Sequence, residues 1–273
     1  MFGRLFATLF TRKIKKANYV LLVQLIAAIA ITVLSFTTSG HVYFGRQDLG
    51  VFPSFFMFVL FFSFIAALAL YCITCNENEA INVNQSLRLL PISDSKYYLD
   101  NIFTSIATLA YFACIEAIGI GISFLLAFQF DGTFHSEVMT SYEKSSFVFN
   151  VEDFIVVIQS LILLVLFCLL FYLMLSFLNF SSQAIISFLP GSIKNKSLLG
   201  FIRVFLVFIL IWALVKGIQA LTPIFDAPFA VFFQSTSSND LLEPISIFIC
   251  FDLLFIAINL FLFNQYIEPK EKK

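Results

Sequence analysis

The chain is short of charge, and shorter still of the residues that do most catalytic work. Asp, Glu, Lys and Arg make up 12% of its 273 residues, His occurs twice and Trp once. So low a charged fraction, beside 60% hydrophobic residues, 38 Phe and a mean hydropathy of +0.96, excludes an ordinary soluble domain. No GxxxxGK[ST] string occurs, so ATP cannot be held here in the phosphate-loop manner. The nearest string, Gly40-His41-Val42-Tyr43-Phe44-Gly45-Arg46, has the glycine spacing but no Lys. There is no HExxH or GxSxG pattern, and His41 and His135 fall in separate loops, where a metal site built from the two would need further ligands. The five Cys lie in or at the ends of apolar runs, so they read as small packing residues rather than a disulfide framework. Cys72-Ile73-Thr74-Cys75 has metal or redox spacing but no second pair to complete a site.

What the chain does have is six long apolar runs, near Tyr19 to Phe36, Val51 to Cys75, Ile102 to Phe130, Phe154 to Phe180, Phe201 to Leu221 and Ile245 to Phe263. A helix of about 20 apolar residues crosses a hydrocarbon layer of about 30 Å, and lipid tolerates only structures that satisfy their own backbone groups. The short alternating strands of a barrel are absent from the pattern. The expected fold class is therefore all-α, a polytopic membrane protein with six transmembrane helices. The first run is preceded by basic residues, but it continues past Ala28-Ile29-Ala30 through Ile31-Thr32-Val33-Leu34, longer than a secretory signal needs.

The basic residues set the direction. With a cytosolic N-terminus, 13 of the 16 Lys and Arg fall on inside segments: Arg4, Arg12, Lys13, Lys15, Lys16, Arg88, Lys96, Lys194, Lys196, Arg203, Lys270, Lys272 and Lys273. Arg46 and Lys144 fall outside, and Lys216 falls within the fifth run. The positive-inside rule then predicts a multi-pass protein of the cytoplasmic membrane with both termini cytosolic. Nothing in this charge pattern supports a nucleic-acid partner.

Two polar segments on that side stand out. Before the first run, Phe2, Leu5, Phe6, Leu9 and Phe10 recur at helical spacing, which predicts an interfacial helix over 1–17 with Arg12-Lys13 and Lys15-Lys16 among anionic headgroups. Between the second and third runs, NENEAINVNQSLRLLPISDSKYYLDN spans residues 76–101. It has room for two short helices broken at Pro91, and Ser93 with Asp94 offers cap chemistry for a helix entering the third run. An amphipathic turn around Glu79 to Leu90 would give a cytosolic partner something firm to push against.

Leu89-Leu90-Pro91-Ile92-Ser93-Asp94-Ser95-Lys96-Tyr97-Tyr98-Leu99, following Glu77 and Glu79, resembles the LLPIS-R/K stretch of type-2 ABC-transporter permeases. The layout is similar too: an N-terminal elbow helix, six spans and a second basic cytosolic loop over 181–200 with Phe188-Leu189-Pro190. The chain departs from that pattern at Ala80-Ile81, where Gly-Thr is common, and at Asp100-Asn101, where Gly-Lys is common. The resemblance implies one permease domain over 1–273, with a coupling helix around Asn82 to Leu90 that docks on a separate P-loop ATPase through Glu79, Asn82, Gln85, Ser86, Leu87, Arg88, Leu90 and Pro91. It also implies a second permease copy or a related permease, ATP and Mg bound by the ATPase rather than by this chain, no catalysis here, and export of a peptide, drug-like or lipid-like substrate.

Charge inside the runs is the last informative feature. Glu116 sits near the middle of the third, where a carboxylate costs on the order of 3 kcal/mol or more unless paired, hydrated or protonated. Ser105, Thr108, Phe112, Glu116, Gly119 and Ser123 form one stripe at three- and four-residue steps, suited to close helix packing or to lining a path. Asp252 and Asn259, seven residues apart, share a face of the sixth run, and Lys216 is a candidate partner for Asp252. Glu116, Asp252 and Asn259 are the expected pathway residues. They also keep open a proton- or ion-coupled carrier, although no internal repeat or midspan Pro points to one. An accessory membrane immunity protein is the third reading.

Overall fold

The structure, a computed structural model, describes residues 2–39, 42–44, 47–82, 92–144, 151–187 and 241–266, with single helical positions between 205 and 216. In chain order these form α1 (Phe2–Ser39), β1 (Val42–Phe44), β2 (Gln47–Leu49), α2 (Val51–Asn82), α3 (Asp94–Phe130), α4 (Gly132–Lys144), α5 (Val151–Ser187) and α6 (Leu242–Tyr266). Five helices, α1, α2, α3, α5 and α6, are long and apolar enough to cross a membrane. The protein is thus a helical, multi-pass membrane protein. The fifth expected run lies mostly outside the described residues; within it Phe205, Phe208, Ile209, Trp212 and Lys216 are helical and exposed at three- and four-residue steps.

Each helix contains its apolar run and extends beyond it. At about 1.5 Å per residue, the 38 residues of α1 measure about 57 Å, nearly twice the hydrocarbon thickness. No Gly or Pro interrupts the chain between Arg4 and Ser39, so nothing breaks the helix at the expected end of an interfacial segment. Residues 1–17 therefore do not form a separate element: from Phe2 onward they are the first turns of α1. Likewise α2 runs on through the polar residues 76–82, and α3 starts at Asp94, directly after Ser93 and eight residues before its expected apolar run. Between α1 and α2 the expected plain loop holds a small antiparallel hairpin, with Val42 opposite Leu49 and Phe44 opposite Gln47.

The chain divides into two units, residues 1–82 with 96–148, and residues 83–95 with 149–273. In the first, α1 runs antiparallel to α2, bringing Arg12 and Lys16 to Glu77. It runs parallel to α3, so that Lys13 reaches Asn101, Asn18 reaches Tyr111 and Gln24 reaches Glu116. Ala17, Ala66, Leu70 and Phe112 form a small core where the three helices meet, the alanines allowing close approach. The opposite faces carry exposed Leu22, Ile26, Phe61, Phe64, Ile118 and Leu125, the apolar exterior that lipid requires. In the second unit α5 and α6 lie parallel, with Phe167 against Phe248, Phe177 against Phe255 and Phe180 against Phe263.

Candidate functional site

At one end of the first unit the projecting turns of three helices lock into a polar knot. Lys13 is 2% exposed, on a line with the buried residues Leu5, Leu9 and Ala17 at four-residue steps. Its ammonium lies 2.8 Å from Asn101 O, Asn101 Oδ1, Thr104 Oγ1 and Ser105 Oγ, four acceptors for three N–H bonds. Asn101 Nδ2 donates to Asn78 O at 3.1 Å and to Asn82 Oδ1 at 2.9 Å, Ser105 Oγ donates to Asn78 Oδ1, and the Tyr97 hydroxyl donates to the Ile81 carbonyl. Beside them the buried Glu77 carboxylate takes Arg12 Nε at 2.6 Å and Lys16 Nζ at 2.9 Å, both cations remaining about half exposed. Of the four basic residues expected among lipid headgroups, Lys13 alone is buried, Arg12 and Lys16 pair with Glu77 while staying exposed, and Lys15 is exposed without an ion pair among the described residues. Asp100 is wholly buried at the same level, and neither of its carboxylate oxygens has a hydrogen-bond partner among the described residues.

This knot fixes the two ends from which the expected docking segment emerges. Glu79 and Asn82 stand in the last turns of α2, Asn82 fully buried and bonded to Asn101. Gln85, Ser86, Leu87, Arg88, Leu90 and Pro91 lie outside the described residues. So does the remainder of the second basic loop beyond residue 187.

Deeper in the same unit, Glu116 Oε2 accepts a hydrogen bond from Gln24 Nε2 of α1 at 3.0 Å and from Ser63 Oγ of α2 at 2.6 Å. Its stripe faces protein as the sequence implies: Ser105, Thr108, Phe112, Glu116 and Ser123 are buried. Gly119 is the exception, with open space where a Cβ would sit. Neither Gln24 nor Ser63 was legible as part of a site, because a lone uncharged polar residue in an apolar run has many uses. The other pathway candidates belong to the second unit. Asn259 is buried and donates from Nδ2 to the Leu173 carbonyl at 2.9 Å, linking α6 to α5. Asp252 is 4% exposed, and neither of its oxygens has a hydrogen-bond partner among the described residues. Lys216 is exposed, and no hydrogen bond joins it to the Asp252 carboxylate among the described residues.

The far end of the first unit holds a feature the sequence reading treated as loop. Asp131 caps α4, its Oδ1 accepting from the backbone amides of Thr133 and Phe134 at 3.1 and 3.0 Å and from the Thr133 hydroxyl. The Thr133 hydroxyl first, then the Phe134 amide, hold this carboxyl below its ordinary value. The phenyl ring of Phe134 then packs edge-on against Phe56 and Phe124. An Asp just before a polar stretch with apolar residues at positions 134 and 138 was the available signal. His135 lies against the ring of Phe128, and the described residues contain no group of three His, Cys, Asp or Glu able to hold a metal ion. Comparison with protein-family models, curated proteins and solved structures gives no match.

Proposed function

We propose that this protein is the transmembrane subunit of an ATP-driven exporter, with six spans, both termini in the cytosol and residues 83–91 docking on a separate ATPase. The observation that carries the reading is the knot. Force delivered to a loop does work on a transporter only if the flanks of the loop are fixed to the helices that must move. Here both flanks are bonded to each other and to α1 through Lys13, Asn101, Asn78 and Asn82. The motif resemblance over residues 89–99 bears on the same segment. A sixth span at residues 201–221 fits the parallel run of α5 and α6, since two helices pointing the same way need a return crossing between them. Binding of ATP by the partner shifts the permease only so far as the ATPase binds its two arrangements unequally.

The test is to purify the protein from its native membrane after mild solubilisation and assay ATP turnover in the complex. We expect a P-loop ATPase to accompany it, with turnover reduced about tenfold or more by Arg88→Ala or Leu90→Ala and unchanged by Lys15→Ala. A second reading, a proton-coupled carrier, is favoured by one observation, the buried Asp252 whose oxygens lack partners among the described residues. Substrate movement by the protein alone in vesicles, driven by a proton gradient, selects the carrier and rejects the exporter.

A further inference from the structure

Glu116 is the single Asp, Glu, Lys, Arg or His in residues 18–39 of α1, 51–76 of α2 and 101–130 of α3, the stretches that pack together at its depth. An ionised carboxylate there faces no cation from any of the three helices. Its hydrogen bonds carry a second message. Both donors, Gln24 Nε2 and Ser63 Oγ, converge on Oε2. Oε1 is buried and accepts no hydrogen bond among the described residues, and neither does the buried Oε1 of Gln24, the side chain already joined to Glu116 by one N–H···O bond. Buried acceptors are rarely left empty, and two such orphans on two side chains that already touch lack a single hydrogen between them.

We propose that Glu116 is a proton-binding site in the membrane interior: the neutral acid carries its proton on Oε1 and donates it to Gln24 Oε1, closing a cyclic acid–amide pair with the Gln24 Nε2–H···Oε2 bond. The proton is taken up from water as H⁺ and no other bond is made or broken. Ser63 then donates to the carbonyl oxygen of a neutral acid, and the two orphaned acceptors become one donor and one acceptor. Loss of the proton leaves a bare charge among apolar faces, so release requires water to enter or the three helices to part at that depth. Occupancy of the site is thereby tied to the packing of α1, α2 and α3. The inference stands apart from the exporter reading, because a permease and a carrier could each hold such a proton.

The probe is dicyclohexylcarbodiimide, an apolar reagent that adds to carboxylic acids in their protonated form, applied to the full-length protein in lipid nanodiscs at neutral pH. Adducts are mapped by fragmentation that separates Glu116 from Asp100, which lies on the same helix. We expect an adduct at Glu116 in the native protein, needing no variant. Infrared difference spectra against Glu116→Gln should show a protonated carboxyl C=O band, shifted to higher frequency in Gln24→Leu as the amide partner is lost. A carboxylate band in place of the acid band, or an unmodified Glu116, overturns the assignment. So does protection by sodium but not by choline at equal ionic strength, which assigns the site to a sodium ion instead.

Discussion

Lys13 shows how a buried amino group is held inside a protein, since its four hydrogen-bond partners are all neutral oxygens from Asn101, Thr104 and Ser105. Loss of these bonds leaves buried acceptors without a donor. Lys13→Met keeps the aliphatic stem and removes the donors. It should lower stability by about 1–3 kcal/mol, read as the unfolding midpoint in detergent, whereas Lys15→Met, on an exposed position, should stay within about 0.5 kcal/mol. Asp131 makes a different case, being a surface carboxylate whose value in the folded protein is depressed by the bonds it accepts. Its stabilisation of α4 is full above the ordinary carboxylate range and is lost as pH falls through the depressed value. Protection of the Thr133 and Phe134 amides, relative to their intrinsic exchange rates, should fall over that acid window, and Asp131→Asn should flatten the dependence. Gly50 guards the same cap, because a Cβ there would stand 2.0 Å from Asp131 Oδ2. Gly50→Ala should raise exchange at those two amides even at neutral pH, by displacing the carboxylate.

The joint between α1 and α2 is asymmetric in a way that a contact map conceals. Glu77 is 2% exposed, while Arg12 and Lys16 are about half exposed. Removing the acid lets two flexible cations return to water. Removing both cations strands a carboxylate in the interior. Glu77→Ala should therefore cost about 1–2 kcal/mol and the double variant Arg12→Ala with Lys16→Ala about 3–5 kcal/mol, measured by the same unfolding midpoints. The reverse order would mean that Glu77 is solvated when its partners leave. This joint also marks where the sequence stops being readable. Hydropathy finds each of the five described helices that are long and apolar enough to cross a membrane, because lipid imposes one requirement over about 20 residues. It is silent about the turns beyond, where residues 76–82 and 94–101 are polar enough for a loop and lie in helix with Asn78 and Asn82 of α2 bonded to Asn101 and Ser105 of α3. Lys13 carried a faint signal, its place on the Leu5, Leu9, Ala17 line, but a Lys among Lys and Arg reads as surface until α3 is set beside it. Glu116 was legible for the opposite reason: a carboxylate in an apolar run must face protein or water, whatever its partners prove to be.

At the scale of the whole molecule, the exporter reading depends on which side of the membrane the knot faces, and the basic residues supply that prediction. The knot leads into residues 83–91, and α4 stands at the opposite end of α3. One crossing separates them, so the two must be reached from opposite sides. All five native Cys lie within α2, α3, α5 and α6 and carry thiols rather than disulfides, so they can be replaced to give a background for single reporters. In that background Ser141→Cys, exposed on α4, should react with a membrane-impermeant maleimide in intact cells. Ser93→Cys, exposed just before α3, should react only after permeabilisation. The inverted pattern would put the loop between α2 and α3 outside the cell, away from any source of ATP, and a cytosolic ATPase could then neither dock on Arg88 and Leu90 nor move the helices that the knot holds.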